Sequence, residues 1–418
     1  MLVVVAGQGY VGLPLAIRAA EVGHRVVGYD VDPHRVQQLV AGDSYVEDVT
    51  SERLRSALDS ATYRVTVDAA TLPQYDIAVI TVPTPLRDGV PDLTHVEVCA
   101  QTLGKHLGPG ATVVLESTTY PGTTEDLLIP ILEKASGLTA GTDFHVGFSP
   151  ERIDPGNAVW PFERTPKVVS GIDAASLHAV ESFYDTVVEV TVPVSGTKVA
   201  ELTKLIENTF RHVNIALVNE IAMLARPLGV SAWEAIEAAA TKPFGFMQFS
   251  PGPGVGGHCL PIDPSFLSWK VERTAGVPFR FVDLANDVNA HMPDYVVRRL
   301  TEALNTHRLA VSGSRILLLG LAYKANTSDA RESPSARVAE LLHNLGADVR
   351  GADPHVVDDI RTAPWLTRVE VTAEEVAASD AVVLLTDHAE FDYAMVLKHA
   401  PYVLDCRNRT SGANVEVL

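Results

Sequence analysis

The chain has 418 residues, of which 46% are apolar and 20% are charged. These proportions are typical of globular proteins and exclude disordered and fibrous classes. The formal net charge is −19, and no run of Lys and Arg occurs, which argues against nucleic acid or an anionic membrane as a partner. At roughly 150 residues per domain, the length predicts two or three domains.

Cysteine and histidine usage narrows the class further. Cys99, Cys259 and Cys406 are far apart, so neither a disulfide framework nor a structural zinc site is expected, and a cytoplasmic location is predicted. The fourteen histidines show no paired ligand spacing, and no metal is expected. The apolar N-terminal segment MLVVVAGQGYVG lacks a basic leader and reads as a first strand. No apolar stretch approaches the roughly 20 residues that span a bilayer.

The first part of the chain alternates strand and helix patterns. The strand runs are LVVVA, HRVVGYD, YDIAVITVP and ATVVLES, with helical segments between them. This alternation predicts a parallel sheet with helical crossovers, a doubly wound α/β domain over residues 1–195.

The pattern changes at Thr197, where Val199, Leu202, Leu205 and Ile206 begin a series of apolar residues at three- and four-residue steps. We expect a long helix within an all-helical domain over residues 196–300, a suitable dimer surface. Strand patterns return in SRILLLGLAYK, ADVRGADP and DAVVLLTD. Residues 301–418 are therefore predicted to form a second Rossmann-like α/β domain that resembles the first.

A glycine motif follows the first predicted strand. Gly7, Gly9 and Gly12 form G-x-G-x-x-G, and Asp30 ends the next strand. Glycines permit a tight turn and a close approach to a pyrophosphate, while the acid accepts from ribose hydroxyls and repels a 2′-phosphate. The motif predicts an NAD site; a glycine turn without a dinucleotide is the plain alternative.

Cys259 lies in SPGPGVGGHCLPIDPS, residues 250–265. A cysteine is commonly a small buried hydrophobe, but the surrounding Gly and Pro residues are wasteful for packing and would let the backbone approach a ligand, which favours a reactive thiolate. Lys204 and Asn208 are four residues apart on the long helix and are expected on one face, lining a cleft or facing solvent. Asp263 is expected in the loop, where a cap or turn role is the alternative.

Three cations of the last domain, Lys324, Arg331 and Arg407, lie at predicted strand ends or in the loops after them. Singly each is an ordinary surface cation. Together they could supply the positive charge that an acidic protein needs to hold a diphosphate.

The motifs GQGYVGLPLA, VPTP, ESTTYPGTT, SPERIDPGN, AELTKLIENT, PGPGVGGHCLPIDP and GLAYKANTSDARESP occur in this order. Across nearly the whole chain they resemble the nucleotide-sugar 6-dehydrogenases, the UDP-glucose/GDP-mannose dehydrogenase family. The resemblance implies an NAD-binding Rossmann domain, a helical dimer domain and a nucleoside-diphosphate-binding domain. It also implies that the C6 alcohol of a nucleotide sugar is oxidised to a carboxylate with two NAD+ and without release of the aldehyde.

The resemblance assigns roles to individual residues. It implies Cys259 as the nucleophile, Lys204 and Asn208 as stabilisers of the oxyanions, with Lys204 also a candidate for proton transfer, and Asp263 as the carboxylate that orients or activates water. Thr118 is then the hydrogen-bonding neighbour of Asp263, and Glu151 another acid/base candidate. The implied cofactor residues are Gly7, Gly9, Tyr10, Val11, Gly12, Asp30, Arg35, Val82, Pro83, Thr84, Thr118 and Arg331. The implied substrate residues are Glu151, Arg152, Lys204, Asn208, Arg211, Lys242, Phe244, Gly256, Lys324 and Arg407.

The sugar is read from departures within the motifs. The cysteine loop is Gly256-Gly257-His258-Cys259, and Ile262 stands where glucose-oxidising members commonly carry a basic residue before Asp263. KPFGF and FRHVN resemble the branch that acts on UDP-N-acetylhexosamines, which favours UDP-N-acetylglucosamine. UDP-glucose, dTDP-glucose, UDP-N-acetylmannosamine and GDP-mannose stay open, as do a two-electron dehydrogenase that stops at the aldehyde and a non-catalytic nucleotide-sugar sensor.

Overall fold

The structure is a computed structural model that describes residues 1–154, 157, 159–257, 260–356 and 365–418. Two compact units account for the chain. The first comprises Met1–Glu207 and Ser265–Val277, and the second comprises Asn208–Pro264 and Pro278–Leu418. Each unit is described by itself.

The first unit is built on a twisted sheet. Its strands, with the short hairpin β5–β6 that lies outside the sheet, are β1 (Leu2–Ala6), β2 (Arg25–Tyr29), β3 (Tyr63–Thr66), β4 (Ile77–Ile80), β5 (Leu86–Arg87), β6 (Val90–Pro91), β7 (Thr112–Leu115), β8 (His145–Phe148), β9 (Lys167–Gly171) and β10 (Thr191–Pro193). Within the described residues the sheet has eight strands in the order β10-β9-β8-β7-β4-β1-β2-β3. All neighbours are parallel except β8 and β9.

Helices cover both faces of this sheet, as buried parallel strands require. They are α1 (Gly12–Glu21), α2 (Pro33–Val40), α3 (Ser51–Asp59), α4 (Thr94–Gly104), α5 (Ile129–Ser136) and α6 (Ala174–Val187). Local sequence fixes several starts: the Asp32 side chain accepts from His34 N and precedes Pro33, and the Asp173 side chain accepts from Ser176 N. These caps satisfy backbone donors that a helix leaves without an internal partner.

The middle of the chain is helical. Its helices are α7 (Thr197–Ala225), α8 (Ala232–Ala240), α9 (Asp263–Ala275) and α10 (Arg280–Thr306). The predicted long helix is therefore confirmed as α7, whose 29 residues run from the first unit into the second.

The second unit contains a second parallel sheet. Its elements are β11 (Arg315–Leu319), α11 (Pro334–Asn344), β12 (Asp348–Ala352), β13 (Thr367–Arg368), α12 (Ala373–Ala378), β14 (Ala381–Leu384), α13 (Tyr393–His399), β15 (Val403–Asp405) and β16 (Val415–Val417). In the part of the chain that the structure describes, this sheet has six strands in the order β13-β12-β11-β14-β15-β16. Counted from β11, this is the Rossmann order 3-2-1-4-5-6.

The predicted fold class is confirmed: along the chain, one Rossmann-like sheet precedes a helical middle and a second follows it. The central strands β4, β7 and β14 are buried along their whole length. The domain ranges 1–195, 196–300 and 301–418 stay a prediction, because α7 and α9 each belong to both compact units. Among the described residues, no helix combines the length and the hydropathy needed to cross a bilayer; the cytoplasmic location stays a prediction.

Candidate functional site

The glycine turn after β1 gives each glycine a different task. Gly7 has φ +93°, and a Cβ there would lie 2.6 Å from Thr81 O. A Cβ at Gly12 would lie 1.8 Å from Gly7 O, so only glycine lets α1 start against the turn. At Gly9, by contrast, an added Cβ would meet no described heavy atom within 4 Å. The turn thus leaves open space where a pyrophosphate approaches the backbone in such folds.

The start of α1 is suited to an anion. Val11 precedes the helix and gives no side-chain cap, and the first turn carries no acidic residue. The N–H groups of this turn and the helix dipole therefore favour a phosphate. Tyr10 packs against the adjoining hydrophobic core.

Asp30 directly follows β2 and is 5% exposed. Its Oδ2 accepts from Gln8 N at 2.8 Å and its Oδ1 accepts from Asp32 N at 2.9 Å. The Arg35 guanidinium lies 3.6 Å from Asp30 Oδ2. The carboxylate is thus fixed beside the glycine turn, in the place where NAD ribose hydroxyls are bound. The residues present fit a bound NAD.

Two loops at the carboxyl ends of β4 and β7 are bonded together. Ser117 Oγ donates to Val82 O at 2.7 Å, and Thr84 Oγ1 donates to Thr118 O at 2.8 Å; Pro83 lies between the two residues of the first loop. The loops that hold ligands in open α/β sheets follow the carboxyl ends of strands. Val82, Thr84 and Thr118, predicted from distant motifs, are therefore brought together.

Lys204 on α7 forms an ion pair with Glu151. Lys204 Nζ lies 3.0 Å from Glu151 Oε2, and the two side chains are 7% and 10% exposed. Glu151 Oε1 also accepts from Ile153 N. The predicted acid and the predicted ammonium are thus one pair, and burial makes each depend on its partner.

The neighbouring Arg152 is already engaged by protein groups. Its Nη2 lies 2.5 Å from Glu207 Oε1, and its Nη1 donates to Pro166 O at 2.6 Å. Sequence reasoning missed Glu207, although its position three residues after Lys204 on α7 was a signal. Arg152 therefore ties its loop to α7, and its predicted role in substrate binding stays a prediction.

Glu201, one turn before Lys204, was also missed. It is fully buried on α7, and its carboxylate accepts from Gly122 N at 2.6 Å, Thr124 N at 2.8 Å and Thr124 Oγ1 at 2.8 Å. Burial raises the pKa of Glu201 to about 7 against the opposing effect of these hydrogen bonds. The signal was an acid within the apolar pattern of the helix. It anchors α7 to the loop that carries Thr118.

Asn208 and Asp263 form the other pair. Asn208 Nδ2 donates to Asp263 Oδ2 at 2.6 Å, and Asp263 is 3% exposed. Asp263 was expected in a loop, but it is the first residue of α9. The expectation of a loop is corrected because Pro264 follows, a residue favoured at helix starts. A carboxylate at this end is stabilised by the helix dipole.

The glycines of the cysteine loop, residues 250–257, pack against protein. A Cβ at Gly252 would lie 2.8 Å from Arg407 Nη1, at Gly256 2.6 Å from Tyr323 Cβ, and at Gly257 2.7 Å from the Tyr323 ring. Gly257 N also donates to Arg331 O at 3.0 Å. The interpretation that these glycines are wasteful for packing is therefore wrong: three of them are required by close packing. Cys259 and His258 themselves lie outside the described residues.

The predicted cations of the second unit have protein partners. Arg407 Nε donates to Leu385 O at 2.7 Å, and burial lowers the pKa of the Arg407 guanidinium. Arg331 Nη2 lies 2.7 Å from Asp329 Oδ2. Lys324 is half-buried in the loop after β11, which also holds Arg331. All three belong to one unit, as a shared diphosphate site requires, and their ligand contacts stay a prediction.

The remaining predicted substrate residues are at the surface of the second unit. Arg211, Lys242 and Phe244 are exposed, and Lys242 Nζ lies 4.9 Å from the centre of the Phe244 ring. Elsewhere, the described residues include a group of three potential metal ligands, His355, His388 and Glu390. Both nitrogens of His388 are engaged there, with Asp353 Oδ2 at 2.9 Å and Asn326 N at 3.0 Å.

The fold and the turn after β1 define the class as a Rossmann-type dinucleotide-binding protein. Comparison with known proteins places it further. Residues 1–217 match the NAD binding domain of the UDP-glucose/GDP-mannose dehydrogenase family, residues 198–291 its central domain, and residues 317–412 its UDP binding domain. The chain belongs to the UDP-glucose/GDP-mannose dehydrogenase family and is an NAD-dependent nucleotide-sugar dehydrogenase.

Similar proteins span nearly the whole chain. UDP-N-acetyl-D-mannosamine dehydrogenase of Pyrococcus horikoshii is 37% identical over 94% of this chain and 90% of its own. UDP-N-acetyl-D-glucosamine 6-dehydrogenase of Pseudomonas aeruginosa is 36% identical over 93% and 91%. The solved structure of UDP-D-ManNAc dehydrogenase from Pyrococcus horikoshii superposes with a TM-score of 0.90 at 34% identity, covering 100% of this chain and 98% of that chain.

Proposed function

We propose that this protein oxidises the C6 alcohol of a UDP-N-acetylhexosamine, UDP-N-acetyl-D-glucosamine in the first place, to the uronic acid with two NAD+ per sugar. The observation that carries the reaction is the pair of buried contacts on α7: the Lys204 ammonium against Glu151, and the Asn208 amide against Asp263. In enzyme sites, ammonium and amide donors placed beside carboxylates stabilise charge that develops on oxygen.

The sugar class is supported by the relatives. Those at 37% and 36% identity are named for UDP-N-acetyl-D-mannosamine and UDP-N-acetyl-D-glucosamine, sugars that share the acetamido group and differ in configuration at C2. UDP-N-acetylmannosamine is therefore the second candidate, favoured by the Pyrococcus horikoshii relative. KPFGF and FRHVN favour the acetamido class itself.

When bound, NAD+ accepts a hydride from the sugar C6 in each of the two oxidations. In this proposal the open space at Gly9 and the start of α1 hold the pyrophosphate, and Asp30 orients the adenosine ribose. The ammonium of Lys204 stabilises the negative charge that develops on O6. Glu151, at 3.0 Å from that ammonium, is the candidate to take the hydroxyl proton in the first oxidation.

Cys259 carries the second half of the reaction. Its thiolate forms a C–S bond to the aldehyde carbon, giving a thiohemiacetal whose C6 loses the second hydride and becomes a thioester. Asp263 takes a proton from water, the water oxygen attacks the thioester carbon, and the C–S bond breaks to return the thiolate and release the acid. Asn208 Nδ2 donates to Asp263 Oδ2 at 2.6 Å and thereby orients the carboxylate for this step.

The test is a panel of nucleotide sugars scored by NADH formed per sugar. UDP-N-acetylglucosamine is expected to give the highest kcat/KM and two NADH, with UDP-N-acetylmannosamine next and UDP-glucose, dTDP-glucose and GDP-mannose far behind. The Cys259→Ala variant is expected to form no acid and no more than one NADH. One NADH from the unaltered enzyme, or acid from Cys259→Ala, would sink the thioester route. NAD+ and sugar binding without any NADH would favour a sensor.

We also propose a homodimer formed through α7. Apolar side chains recur at seven-residue steps along one side of this helix and its continuation, and they are 38–77% exposed: Phe210, Leu217, Ile221, Leu224 and Leu228. An exposed apolar stripe with this spacing suits a helix of a second copy. Light scattering is expected to give a dimer, and Leu217→Glu with Leu224→Glu a monomer. A monomeric unaltered protein would contradict the assignment.

A further inference from the structure

A buried amide network crosses the helices of the second unit. Asn219 on α7 is fully buried, and Asn289 on α10 is 6% exposed. Asn219 Nδ2 donates to Asn289 Oδ1 at 3.0 Å. Asn289 Nδ2 approaches His212 Nδ1 and His212 O at 3.4 Å each, and His212 Nε2 donates to Asn286 Oδ1 at 2.8 Å. Burial lowers the pKa of His212, and with Nε2 donating to Asn286 Oδ1, Nδ1 is the acceptor for Asn289 Nδ2.

This network ends on the cysteine loop. Asn219 Oδ1 accepts from Gly252 N at 2.9 Å, and a Cβ at Gly254 would lie 3.2 Å from Asn289 O. On its other side Gly252 is confined by Arg407, whose Nη1 lies 2.8 Å from the position of an added Cβ. The Asn219 amide therefore fixes the N–H of Gly252, and the Arg407 guanidinium occupies the space that a side chain at this position would need.

Burying the Asn219 amide costs free energy unless its oxygen and its NH2 group form hydrogen bonds. Burying a carboxamide without partners costs about 1–3 kcal/mol, and an apolar side chain of similar size would pack between α7 and α10 without that cost. Asn219 uses its oxygen for a backbone N–H of an irregular loop, a donor that no regular ladder serves. The amide therefore contributes mainly by fixing the position of the loop, and an apolar side chain would contribute as much to packing.

We propose that Asn219 is a positioning residue for the thiolate step: it holds residues 250–257 in place so that the cysteine that follows Gly257 by two residues meets the aldehyde carbon. The proposal rests on the proposed function, since it assigns the step to Cys259. It goes beyond that function because it assigns Asn219 to one of the two oxidations. Asn219 acts in the oxidation of the aldehyde to the acid and not in the oxidation of the alcohol to the aldehyde.

The division follows from the chemistry. Oxidation of alcohol to aldehyde, and its reversal with NADH, needs the cofactor, a proton acceptor and oxyanion stabilisation, none of which involves the thiol. Oxidation of aldehyde to acid needs the C–S bond. A displacement of about 1 Å at a reacting group can cost ~100-fold in rate. The loop also carries Gly256, an implied substrate residue, so the half-reactions are compared at saturating sugar. Under that condition, loosening the loop is expected to slow only the aldehyde-to-acid half.

The experiment supplies the UDP-6-aldehydo sugar to the full-length enzyme and measures both half-reactions. Asn219→Leu keeps the volume and removes the acceptor of Gly252 N. We expect its oxidation of the aldehyde with NAD+ to fall ~10- to 100-fold, while its reduction of the aldehyde with NADH stays within about 3-fold. With the alcohol as substrate, NADH per sugar is expected to drop from two toward one, with aldehyde captured by a hydroxylamine.

Two variants serve as controls. Asn219→Asp keeps an oxygen for Gly252 N but loses the donor to Asn289 Oδ1, and is expected to recover part of the aldehyde oxidation that Asn219→Leu loses. Val288→Ala weakens the packing of α10 against Ala216 of α7 without removing the amide, and is expected to lower the melting temperature while leaving the two half-reactions in their original ratio. If Asn219→Leu does not fold, Asn219→Ser, whose hydroxyl is too short to reach Gly252 N, replaces it.

The outcomes separate the two proposals. Equal losses in both half-reactions of Asn219→Leu, or an unchanged yield of two NADH, would overturn the positioning role while the proposed function stands. One NADH per sugar from the unaltered enzyme would overturn the proposed function itself. A selective loss of aldehyde oxidation in Asn219→Leu that Asn219→Asp reverses in part supports the inference.

Discussion

The two Rossmann-like sheets share the turn after their first strand and the carboxylate after their second strand, but these groups have different surroundings. Each first strand is followed by a glycine with positive φ, Gly7 at +93° and Gly320 at +85°. In each, an added Cβ would strike a carbonyl oxygen, Thr81 O at 2.6 Å or Thr386 O at 2.3 Å. A carboxylate follows the second strand in both: Asp30 in the first sheet, where it accepts from Gln8 N, and Asp353 in the second, where it accepts from Leu321 N and Ala322 N.

The difference lies two residues beyond the first glycine. Gly9 leaves open space, whereas the matching residue of the second sheet is Ala322, which is fully buried. Asp353 Oδ2 is also held by His388 Nε2 at 2.9 Å, and its Oδ1 accepts from His355 N and Val356 N. Five protein donors are thus bonded to Asp353, against two backbone donors for Asp30. Asp30 lies beside the open turn at Gly9.

The helix that follows the turn differs as well. In the first sheet α1 starts at Gly12, five residues after Gly7, and Val11 before it gives no side-chain cap. In the second sheet α11 starts only at Pro334, and the longer loop before it carries Tyr323, which packs on Gly257. The first strand–turn–helix unit lies in the part of the chain that matches the family's NAD binding domain. The second supports the loop that leads to the cysteine.

The largest effect is expected from closing the first turn. A Cβ in Gly12→Ala would lie 1.8 Å from Gly7 O, so the turn or α1 must move. We expect NAD-dependent activity to fall ~100-fold or more through misplacement of the cofactor, with a loss of stability of about 3 kcal/mol from overpacking. Denaturant unfolding and NAD+ titration measure the two. Unchanged NAD+ affinity would contradict the assigned turn.

Asp353→Asn comes next, and its effect is on stability. Burial alone would raise the pKa of Asp353, but the hydrogen bonds from His388 and from backbone N–H groups of Ala322, Val356 and Leu321 hold the pKa well below its usual range. This lowered pKa stabilises the fold above about pH 4, and the contribution is lost as pH falls further.

The Asn variant is expected to be about 3 kcal/mol less stable at pH 7. Its stability should also depend less steeply on pH below about 4 than that of the unaltered protein. Urea unfolding over a pH series measures both effects. A variant that keeps full stability at neutral pH but loses NAD+ affinity would reverse the comparison between the sheets.

Asp30→Asn makes the same chemical change in the first sheet and is expected to act on the cofactor. Asp30 accepts from two backbone donors and also lies beside Arg35, so the fold loses less than in Asp353→Asn. Removing the charge weakens the bond to the ribose and the repulsion of a 2′-phosphate. We expect KM for NAD+ to rise ~10-fold, about 1.4 kcal/mol, and discrimination against NADP+ to narrow. Unchanged values for both cofactors would remove Asp30 from the site.

The first turn was predictable because its rule is local. The spacing of Gly7, Gly9 and Gly12 and the strand ending at Asp30 are properties of one short segment, so the sequence states them directly. The long helix and both sheets were predictable for the same reason, through periodicity.

The buried partners were not predictable, because they come from distant segments. Glu201 accepts hydrogen bonds from Gly122 N and Thr124 N, and Asn219 accepts one from Gly252 N. No residue spacing along the chain predicts such pairs. The glycines of the cysteine loop misled for a related reason. A glycine needed for a close approach looks the same in sequence whether the approaching group is a ligand or, as at Gly257, a tyrosine ring.

The smallest expected effects come from exchanging the residues that distinguish the turns. Gly9→Ala adds a methyl group where no described atom lies within 4 Å, so the fold is expected to be unaffected. If that space belongs to the pyrophosphate, KM for NAD+ should rise ~5-fold. Ala322→Gly removes a buried methyl and is expected to cost about 1 kcal/mol of stability with no change in KM, because Asp353 stays occupied by His388. Thermal melts and initial rates are measured on both variants. If the first turn alone holds the dinucleotide, Gly9→Ala changes only KM for NAD+ and Ala322→Gly changes only the melting temperature. A rise in KM for NAD+ in Ala322→Gly would assign cofactor binding to the second sheet as well.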